Sequence, residues 1–318
     1  MNMLKREENT KYRQILKDTL AYNPGILKRY VNFMNNPDEA TAVEQFGKGD
    51  KYFGVATLLA TLPGLPMFGH GQVEGYREKY GMEYRRAYWK EEPDVGFIQH
   101  HEQQVFPLLR SRHLFADIEY FSLYDFMTDQ GVNENVFAYS NGPIGQKFLV
   151  VYNNRTQATR GRIHLAADKA SPEEEGLALP MPPFWQELGL DRSDDPFCRF
   201  HDLQGNQQLV SREQLSHGLE LQLDGYEHRV FSDFQTLSDE DGSWQKLYQH
   251  LNGRTVSNLE RERLRIVYQP LWKAFAALFD QGRLHVLAGG LVTARQTRPI
   301  DKIMTDLSAE CNAFASMI

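Results

Sequence analysis

The apolar residues of one early segment predict two short strands around a helix. Residues 30–34 form a strand-like run, residues 51–62 carry apolar side chains at helical spacing, and residues 65–68 form a second strand-like run. Pro63-Gly64 marks the break between the helix and the second strand. Strand, helix and strand at this spacing predict a βαβ unit.

Helical patterns are predicted on both sides of this unit. Residues 4–20 place Leu, Ile and Tyr at near-helical spacing among charges, and Asn23-Pro24-Gly25 ends this pattern. A long loop is predicted from Gly69 to Gly96, followed by a helix from Ile98 to Arg112.

Short alternating runs replace the helical pattern after Phe115 and predict an antiparallel sheet. The predicted strands cover residues 120–126, 135–140, 147–152 and 219–231. Residues 168–217 are rich in proline and turn residues, so we interpret them as an insertion.

A helical extension is predicted at the end of the chain. From Ser243 onward apolar residues recur at i, i+3 and i+4 steps, which predicts an apolar stripe that serves as a packing face. The patterns divide the chain into residues 1–115, an antiparallel domain over 116–237 with its insertion at about 168–217, and a helical extension over 238–318.

Composition narrows the classes of function. The 318 residues carry a formal net charge of −7, which disfavours nucleic acid or an anionic membrane as the partner. The two cysteines, Cys198 and Cys311, have no metal-ligand spacing, so neither a disulfide framework nor a zinc site is expected. No signal-peptide core and no apolar run of roughly 18 residues occurs, so we expect a soluble, cytoplasmic protein without a membrane span.

Polar side chains follow both strands of the predicted βαβ unit. Asn36 and Asp38 follow the first strand, and His70, Gln72 and Glu74 follow the second. In a β/α barrel the carboxyl ends of the strands meet at one face, where the chemistry takes place. Amide, carboxylate and imidazole groups at one end of a barrel can donate to and accept from hydroxyls, which suits a polyhydroxylated ligand.

Two motifs resemble the alpha-amylase superfamily, glycoside hydrolase family 13. Phe33-Met34-Asn35-Asn36-Pro37-Asp38 is similar to the Asn-His-Asp motif after the seventh barrel strand of that family. Gly64-Leu65-Pro66-Met67-Phe68-Gly69-His70-Gly71-Gln72 resembles the motif at its eighth strand. The resemblance covers roughly residues 1–234. It implies an α/β plus all-β fold, with an incomplete (β/α)8 barrel end, an antiparallel β-sandwich domain and then the helical tail.

The resemblance also implies roles for individual residues. Asp38 is expected to bind sugar hydroxyls and to stabilise an oxocarbenium-like transition state, with Asn36 beside it. Gln72 and Glu74 are expected near the same subsite of an alpha-glucan or oligosaccharide. Pro37 departs from the histidine of the family and removes a side-chain hydrogen bond. We expect no cofactor and no metal.

The resemblance places the nucleophile and the general acid on earlier barrel strands. We therefore expect this chain to be the carboxyl-terminal piece of a hydrolase or transglycosylase that acts on alpha-glucans, inactive alone. One alternative is a carbohydrate-binding or assembly subunit that completes a barrel supplied by an upstream chain. Another is a non-catalytic interaction protein in which the motifs are relics.

Structural interpretations stand beside these functional ones. Asn36-Pro37-Asp38-Glu39 also fits a helix cap. Tyr84 and Trp89 either stack on a sugar ring or pack over the rim of the barrel. His100-His101-Glu102 lacks the spacing of a HExxH metal site, which favours a position on a helix surface.

Overall fold

The computed structural model describes residues 1–79, 85–170, 178–190 and 194–278, with isolated positions at 281, 282, 285, 305, 308, 309, 311, 312 and 315. They fall into two compact units, Met1–Ser238 and Asp239–Ile318. We call these the first and the second unit.

The first unit opens with helices around a pair of parallel strands. The elements are α1 (Asn2–Lys5), α2 (Asn9–Tyr22), a 3-10 helix (Pro24–Arg29), β1 (Val31–Phe33), α3 (Ala42–Phe46), α4 (Asp50–Thr61) and β2 (Leu65–Met67). Because β1 and β2 pair in parallel, the predicted βαβ unit is confirmed. The prediction missed α3, which Thr41 caps through a hydrogen bond from the backbone N–H of Glu44.

Three short helices stand where the sequence predicted one. They are α5 (Val95–Gln104), α6 (Phe106–Arg110) and α7 (Arg112–Phe115). Pro107 lies in the first turn of α6, where its missing N–H costs no helical hydrogen bond. The single helix predicted over residues 98–112 is therefore corrected to three.

The rest of the first unit is dominated by strands. Its elements are β3 (Ser122–Thr128), β4 (Gly131–Val132), β5 (Val136–Asn141), β6 (Phe148–Asn153), β7 (Thr159–Ala166), β8 (Lys169–Ala170), β9 (Ala178–Leu179), α8 (Phe184–Glu187), β10 (Phe197–Asp202), β11 (Gln207–Ser211), α9 (Arg212–His217), β12 (Leu219–Leu223) and β13 (His228–Leu237). Nine of these strands form one sheet in the order β11-β10-β13-β6-β5-β3-β7-β12, with β4 beside β3. Strands β8 and β9 pair separately.

The sheet is a single antiparallel, curled sheet. Strands near both of its edges contribute to one buried cluster, which contains Phe200 of β10, Val210 of β11 and Leu221 of β12. Opposite edges share a core only if the sheet curls around it. Within the residues that the structure describes, the predicted antiparallel β-domain is therefore one curled sheet, and its β-sandwich arrangement stays a prediction.

Several strands differ from the predicted ones. The sequence analysis missed β7, and β10 and β11 of the main sheet lie within residues 168–217, where it predicted a turn-rich insertion. The strand predicted over residues 219–231 is two strands, because the chain turns at Gly225 and at Tyr226, whose φ of 57° is left-handed. Strand β12 then pairs with β7, whereas β13 pairs with β6 and β10.

Helices and sheet share a second buried cluster on the other face of the sheet. Helix α4 is buried along its length from Tyr52 to Thr61 and packs with Phe137, Tyr139 and Tyr152 of the sheet. Gly54 permits this approach, since a Cβ at this position would lie 2.0 Å from the Tyr152 ring. The parallel strand pair is thereby attached to the sheet through the helix that connects its two strands.

One buried charge, that of Arg13, joins helix α2 to the sheet. The guanidinium of Arg13 is fully buried and donates to Asp125 at 2.5 Å and Glu134 at 2.6 Å. It also donates to the backbone carbonyls of Tyr124 and Val136. A buried cation with this number of acceptors holds helix α2 on the sheet, because Arg13 has no other place in which its charge would be as fully compensated.

The second unit contains three described helices, α10 (Ser243–Leu251), α11 (Leu259–Val267) and α12 (Gln269–Leu278). Leu247, Leu251 and Leu259 are buried, whereas Leu264 and Phe275 of the predicted stripe are exposed. Within the stripe predicted from Val256 onward, Leu259 therefore packs inside the described part of this unit, whereas Leu264 and Phe275 do not.

We expect Gly54→Ala to destabilise the protein by about 1–3 kcal/mol, because the new methyl group overlaps the Tyr152 ring. Gly96→Ala is the matched control, since Gly96 is also helical and its nearest neighbouring atom would lie 3.6 Å from the added Cβ. This control should be neutral or stabilising by up to about 1 kcal/mol. Urea unfolding of both variants measures the difference, and equal stabilities would contradict the packing account.

Candidate functional site

The ends of β1 and β2 lie side by side. The register pairs Val31 with Leu65, Asn32 with Pro66 and Phe33 with Met67. The buried side chain of Asn32 donates to the carbonyl of Pro63 at 2.9 Å, which ties the two strands together. Since the strands are parallel and end at the same level, the segments that follow them leave from one edge.

Asn36 shapes the turn that carries Asp38. Its side-chain oxygen accepts hydrogen bonds from the backbone N–H groups of Asp38 and Glu39, both at 3.0 Å. The sequence also fitted a helix cap at Asn36. Asn36 does bind the backbone N–H groups that follow it, but they belong to a turn, and the next helix, α3, begins at Ala42. Pro37 and Asp38 are exposed, so the Asp38 carboxylate reaches solvent from a fixed turn.

Gln72 joins the two segments from inside. Its side chain is buried, accepts from the backbone N–H of Gly69 at 3.0 Å and donates to the sulfur of Met34 at 3.4 Å. Both ends of the carboxamide are thus occupied within the protein. Gln72 thus supports the segment after β2, and the ligand contact expected from the resemblance stays a prediction.

Asn35 is a buried polar residue that the sequence analysis did not select. A Cβ at Gly69 would lie 2.3 Å from the Asn35 amide nitrogen, so the glycine lets the segment after β2 pass over this side chain. Asn35 is 5% exposed, and its side-chain oxygen has no hydrogen-bond partner among the described residues. The signal in the sequence was a glycine two residues after the end of β2, a residue type that often marks close approach of the backbone to another group.

A buried tyrosine and histidine support the segment after β2. The Tyr52 hydroxyl lies 3.0 Å from the Gln72 carbonyl and 3.0 Å from Nε2 of His101, while Nδ1 of His101 lies 2.9 Å from the Phe97 carbonyl. Burial lowers the pKa of His101, and the nearby Glu74 opposes this shift. A neutral His101 that donates from Nδ1 to the Phe97 carbonyl has Nε2 as an acceptor, so Nε2 and the Gln72 carbonyl share the single hydroxyl proton of Tyr52. His101 is fully buried, which corrects its predicted place on a helix surface.

The remaining predicted site residues are spread around this edge. His70 is exposed, with its ring centroid 6.3 Å from that of Tyr76. Glu74 is half-buried, and its backbone carbonyl accepts from the N–H of Asp94 at 3.0 Å. Trp89 is 60% exposed, whereas Tyr84 lies outside the described residues.

Among the described residues, no group of three or more His, Cys, Asp or Glu side chains has a geometry that could hold a metal ion. Burial raises the pKa of the Cys198 thiol to about 12, which removes it as a thiolate nucleophile at neutral pH. None of the described helices has the length and apolarity to cross a membrane.

We expect Gly69→Ala to destabilise the protein by about 1–3 kcal/mol, because the added methyl group meets the buried Asn35 amide. The same substitution in an Asn35→Ala background should cost less, since the obstructing group is gone. Urea unfolding of the wild type, both single variants and the double variant measures this coupling. If Gly69→Ala lowers the free energy of unfolding equally in both backgrounds, Gly69 and Asn35 do not set the distance between the segments after β1 and β2.

The chain was compared with known proteins. No family model matches the sequence, and no curated protein matches it. Among solved structures, it is similar to an alpha-amylase from Geobacillus thermoleovorans complexed with acarbose, with 11% identity, a TM-score of 0.44 and coverage of 70% of this chain and 46% of the other. It is also similar to the acarbose-soaked debranching enzyme of Nostoc punctiforme, with 15% identity, a TM-score of 0.41 and coverage of 71% and 38%.

A third similar structure is the maltogenic alpha-amylase AmyB from Thermotoga neapolitana, with 13% identity, a TM-score of 0.41 and coverage of 65% of this chain and 41% of the other. The chain thus spans less than half the length of each of these three structures. Members of the alpha-amylase family, whose motifs the sequence resembles, are among the solved structures to which this chain is similar.

Proposed function

We propose that the ends of β1 and β2 form one wall of an alpha-glucan site in a glycoside hydrolase or transglycosylase of the alpha-amylase type. The observation that carries this proposal is the parallel register of Phe33 with Met67. It brings together the two sequence motifs that resemble the family, although 25 residues separate them in the chain. Side chains from both motifs then face one ligand.

Asp38 is the residue that binds sugar hydroxyls in this proposal. Its carboxylate has two acceptor oxygens, which suit the hydroxyls of neighbouring carbons on a pyranose ring. The Asn36 turn fixes the Asp38 backbone, so little ordering of the chain is needed when the sugar binds. As positive charge develops at the anomeric carbon, a nearby carboxylate stabilises it and the hydrogen bonds strengthen.

Hydrolysis also needs a nucleophile and an acid. In a retaining glycosidase these are two carboxyl groups about 5 Å apart across the scissile bond. The resemblance places both on barrel strands other than the two whose motifs occur here, and β1 and β2 are the parallel strands among the described residues. We therefore propose that the 318-residue chain binds alpha-glucan and does not hydrolyse it on its own.

We expect Asp38→Ala to weaken binding of maltoheptaose by about 10- to 100-fold, because a charge-assisted hydrogen-bond acceptor is worth about 1.5–3 kcal/mol. Isothermal titration calorimetry on the full chain measures the dissociation constant. Asp224→Ala is the control, since Asp224 is also an exposed aspartate but lies in the turn between β12 and β13.

Three results would overturn the proposal. Two concern binding: an unchanged affinity of the Asp38→Ala variant, and no binding by the wild type. The third concerns inactivity: the purified protein releases more reducing sugar from maltoheptaose than a boiled control does.

A further inference from the structure

A groove of about 770 Å³ lies on the curled sheet beside helix α2. Strand β7 contributes most of its lining and lies between β3 and β12 in the sheet. The end of α9 adds Ser216 and His217, and the turn after β3 adds Asp129. We call this the β7 groove. None of the described residues that line it belongs to the segments after β1 and β2, so it is separate from the wall that we propose binds glucan.

Arg162 of β7 carries a charge that the protein does not pair. It stands between Met127 of β3 and Glu220 of β12, so these three side chains lie side by side on one face of the sheet. The Glu220 carboxylate nevertheless binds Arg160, at 3.3 Å. Nη1 of Arg162 donates to the backbone carbonyl of His217 at 3.3 Å, and no salt bridge joins Arg162 to any described residue. Its positive charge is therefore available to a ligand.

The glycine at the end of α9 fixes the direction of the Arg162 side chain. Gly218 has a left-handed φ of 109°, and a Cβ there would lie 2.6 Å from Cγ of Arg162. The stem of Arg162 can pass over residue 218 only because that residue has no side chain. With Nη1 on a carbonyl, the N–H groups of Nε and Nη2 make no hydrogen bond to a described residue. This edge of a guanidinium binds a carboxylate or phosphate through two parallel hydrogen bonds.

Two imidazoles line the same groove. Strand β7 carries one residue more than β3 between two pairs of their ladder, and such a bulge re-aims side chains. His164 and Leu165, at this bulge, accordingly both line the groove, and His164 has no hydrogen-bond partner among the described residues. Nδ1 of His217 lies 2.8 Å from the Glu213 carbonyl, which leaves Nε2 for a ligand. An anion beside Nε2 favours the protonated ring, which donates from both nitrogens.

Two of the three acidic side chains that line the groove are already paired. Asp125 accepts from Arg13 at 2.5 Å and lies 2.7 Å from Nζ of Lys17, while Glu220 is held in the ion pair described above. The third, Asp129, lies in the turn after β3. Because β3 runs antiparallel to β7, this turn is at the end of the groove opposite to the bulge. The acids therefore leave the end that carries the imidazoles suited to an anion.

Apolar side chains complete the lining. Met127 is 40% exposed and Leu165 is 59% exposed, and both lie in the groove. Apolar area with a few convergent polar groups is typical of sites for small organic molecules, because the area supplies affinity and the polar groups supply orientation. Exposed methionine and leucine next to an unpaired guanidinium favour a ligand that has an anionic group and an apolar body.

We propose that the β7 groove binds a small organic oxyanion, a carboxylate or a phosphate ester. Its charged group contacts Arg162, His164 and His217, and its body covers Met127 and Leu165. This site is independent of the function proposed above, because the two sites share no residue.

Calorimetry on the full chain at low ionic strength, where charge pairs are least screened, tests the site with four probes. They are phenyl phosphate, benzoate, inorganic phosphate and the neutral benzyl alcohol. We expect at least one of the two aromatic anions to bind with a dissociation constant of about 1 mM or lower, and more tightly than benzyl alcohol. The tighter of the two identifies the anionic group. Failure of both anions to bind, or equal binding of benzyl alcohol, would show that the groove does not recognise an oxyanion.

Arg162→Gln should raise the dissociation constant of the tighter aromatic anion about fivefold or more, because two charge-assisted hydrogen bonds are lost. Arg199→Gln is the matched control. Arg199 is also a sheet residue without a salt bridge to a described residue, but it lies on β10 outside the groove and donates to Gln235. This control should bind like the wild type, and equal affinities of the two variants would contradict the proposal.

Two further variants separate the charge from the apolar area. Glu220→Gln should lower the dissociation constant about twofold or more, because it removes a carboxylate and leaves Arg160 unpaired. Since this variant gains affinity, its result does not depend on whether Arg162→Gln folds normally. Leu165→Ala should weaken the aromatic anion and leave inorganic phosphate unchanged. An affinity that does not rise in Glu220→Gln would overturn the proposal.

Discussion

The contact of Gly54 with Tyr152 is the constraint on which the proposed site depends. Helix α4 connects β1 to β2, and it packs against β6 only because residue 54 has no side chain. Two residues earlier on the same helix, the Tyr52 hydroxyl lies at hydrogen-bond distance from the Gln72 carbonyl and from His101. One helix therefore fixes the strand pair on the sheet and also holds the segment that follows β2.

Support for the site comes from buried side chains that do not touch solvent. Gln72 bridges to Gly69 and Met34, and Asn35 lies beneath Gly69. The Gln72 amide restricts the chain because both of its polar ends are paired here, and leaving either end unpaired in another arrangement would cost free energy. The exposed groups, above all Asp38, are then presented by a frame that is already ordered, which reduces the entropy lost when a ligand binds.

The strand pair and α4 were predictable from the sequence because their patterns are local. A helical period bounded by Pro63-Gly64, with apolar runs on both sides, is enough to define a βαβ unit. The order of strands in the curled sheet was not predictable, since the pairing of β13 with β10 and of β12 with β7 depends on contacts far apart in the chain. The alternation of Leu219, Leu221 and Leu223 ends at Asp224-Gly225, and the single predicted strand ran past this turn signal to Phe231.

In the candidate site, too, features that depend on local sequence were predictable and features that depend on distant contacts were not. Asn36 and Asp38 were found because they stand in a contiguous motif directly after a strand. The burial of Gln72 and the role of Asn35 were missed because both depend on the position of Gly69. That position follows from the pairing of β1 with β2, which the sequence around each residue does not show. The hydrogen bonds that the Glu78 and Glu91 carboxylates accept from backbone N–H groups across the loop were missed because isolated glutamates in a charged loop look like solvated surface.

We propose that the segments after β1 and β2 bind one sugar chain together. Hydrogen–deuterium exchange of the full chain, with and without maltoheptaose, tests this proposal most directly. We expect maltoheptaose to slow exchange in peptides that cover residues 34–41 and also in those that cover residues 68–79. Protection of only one of these segments, or protection confined to the curled sheet, would contradict it.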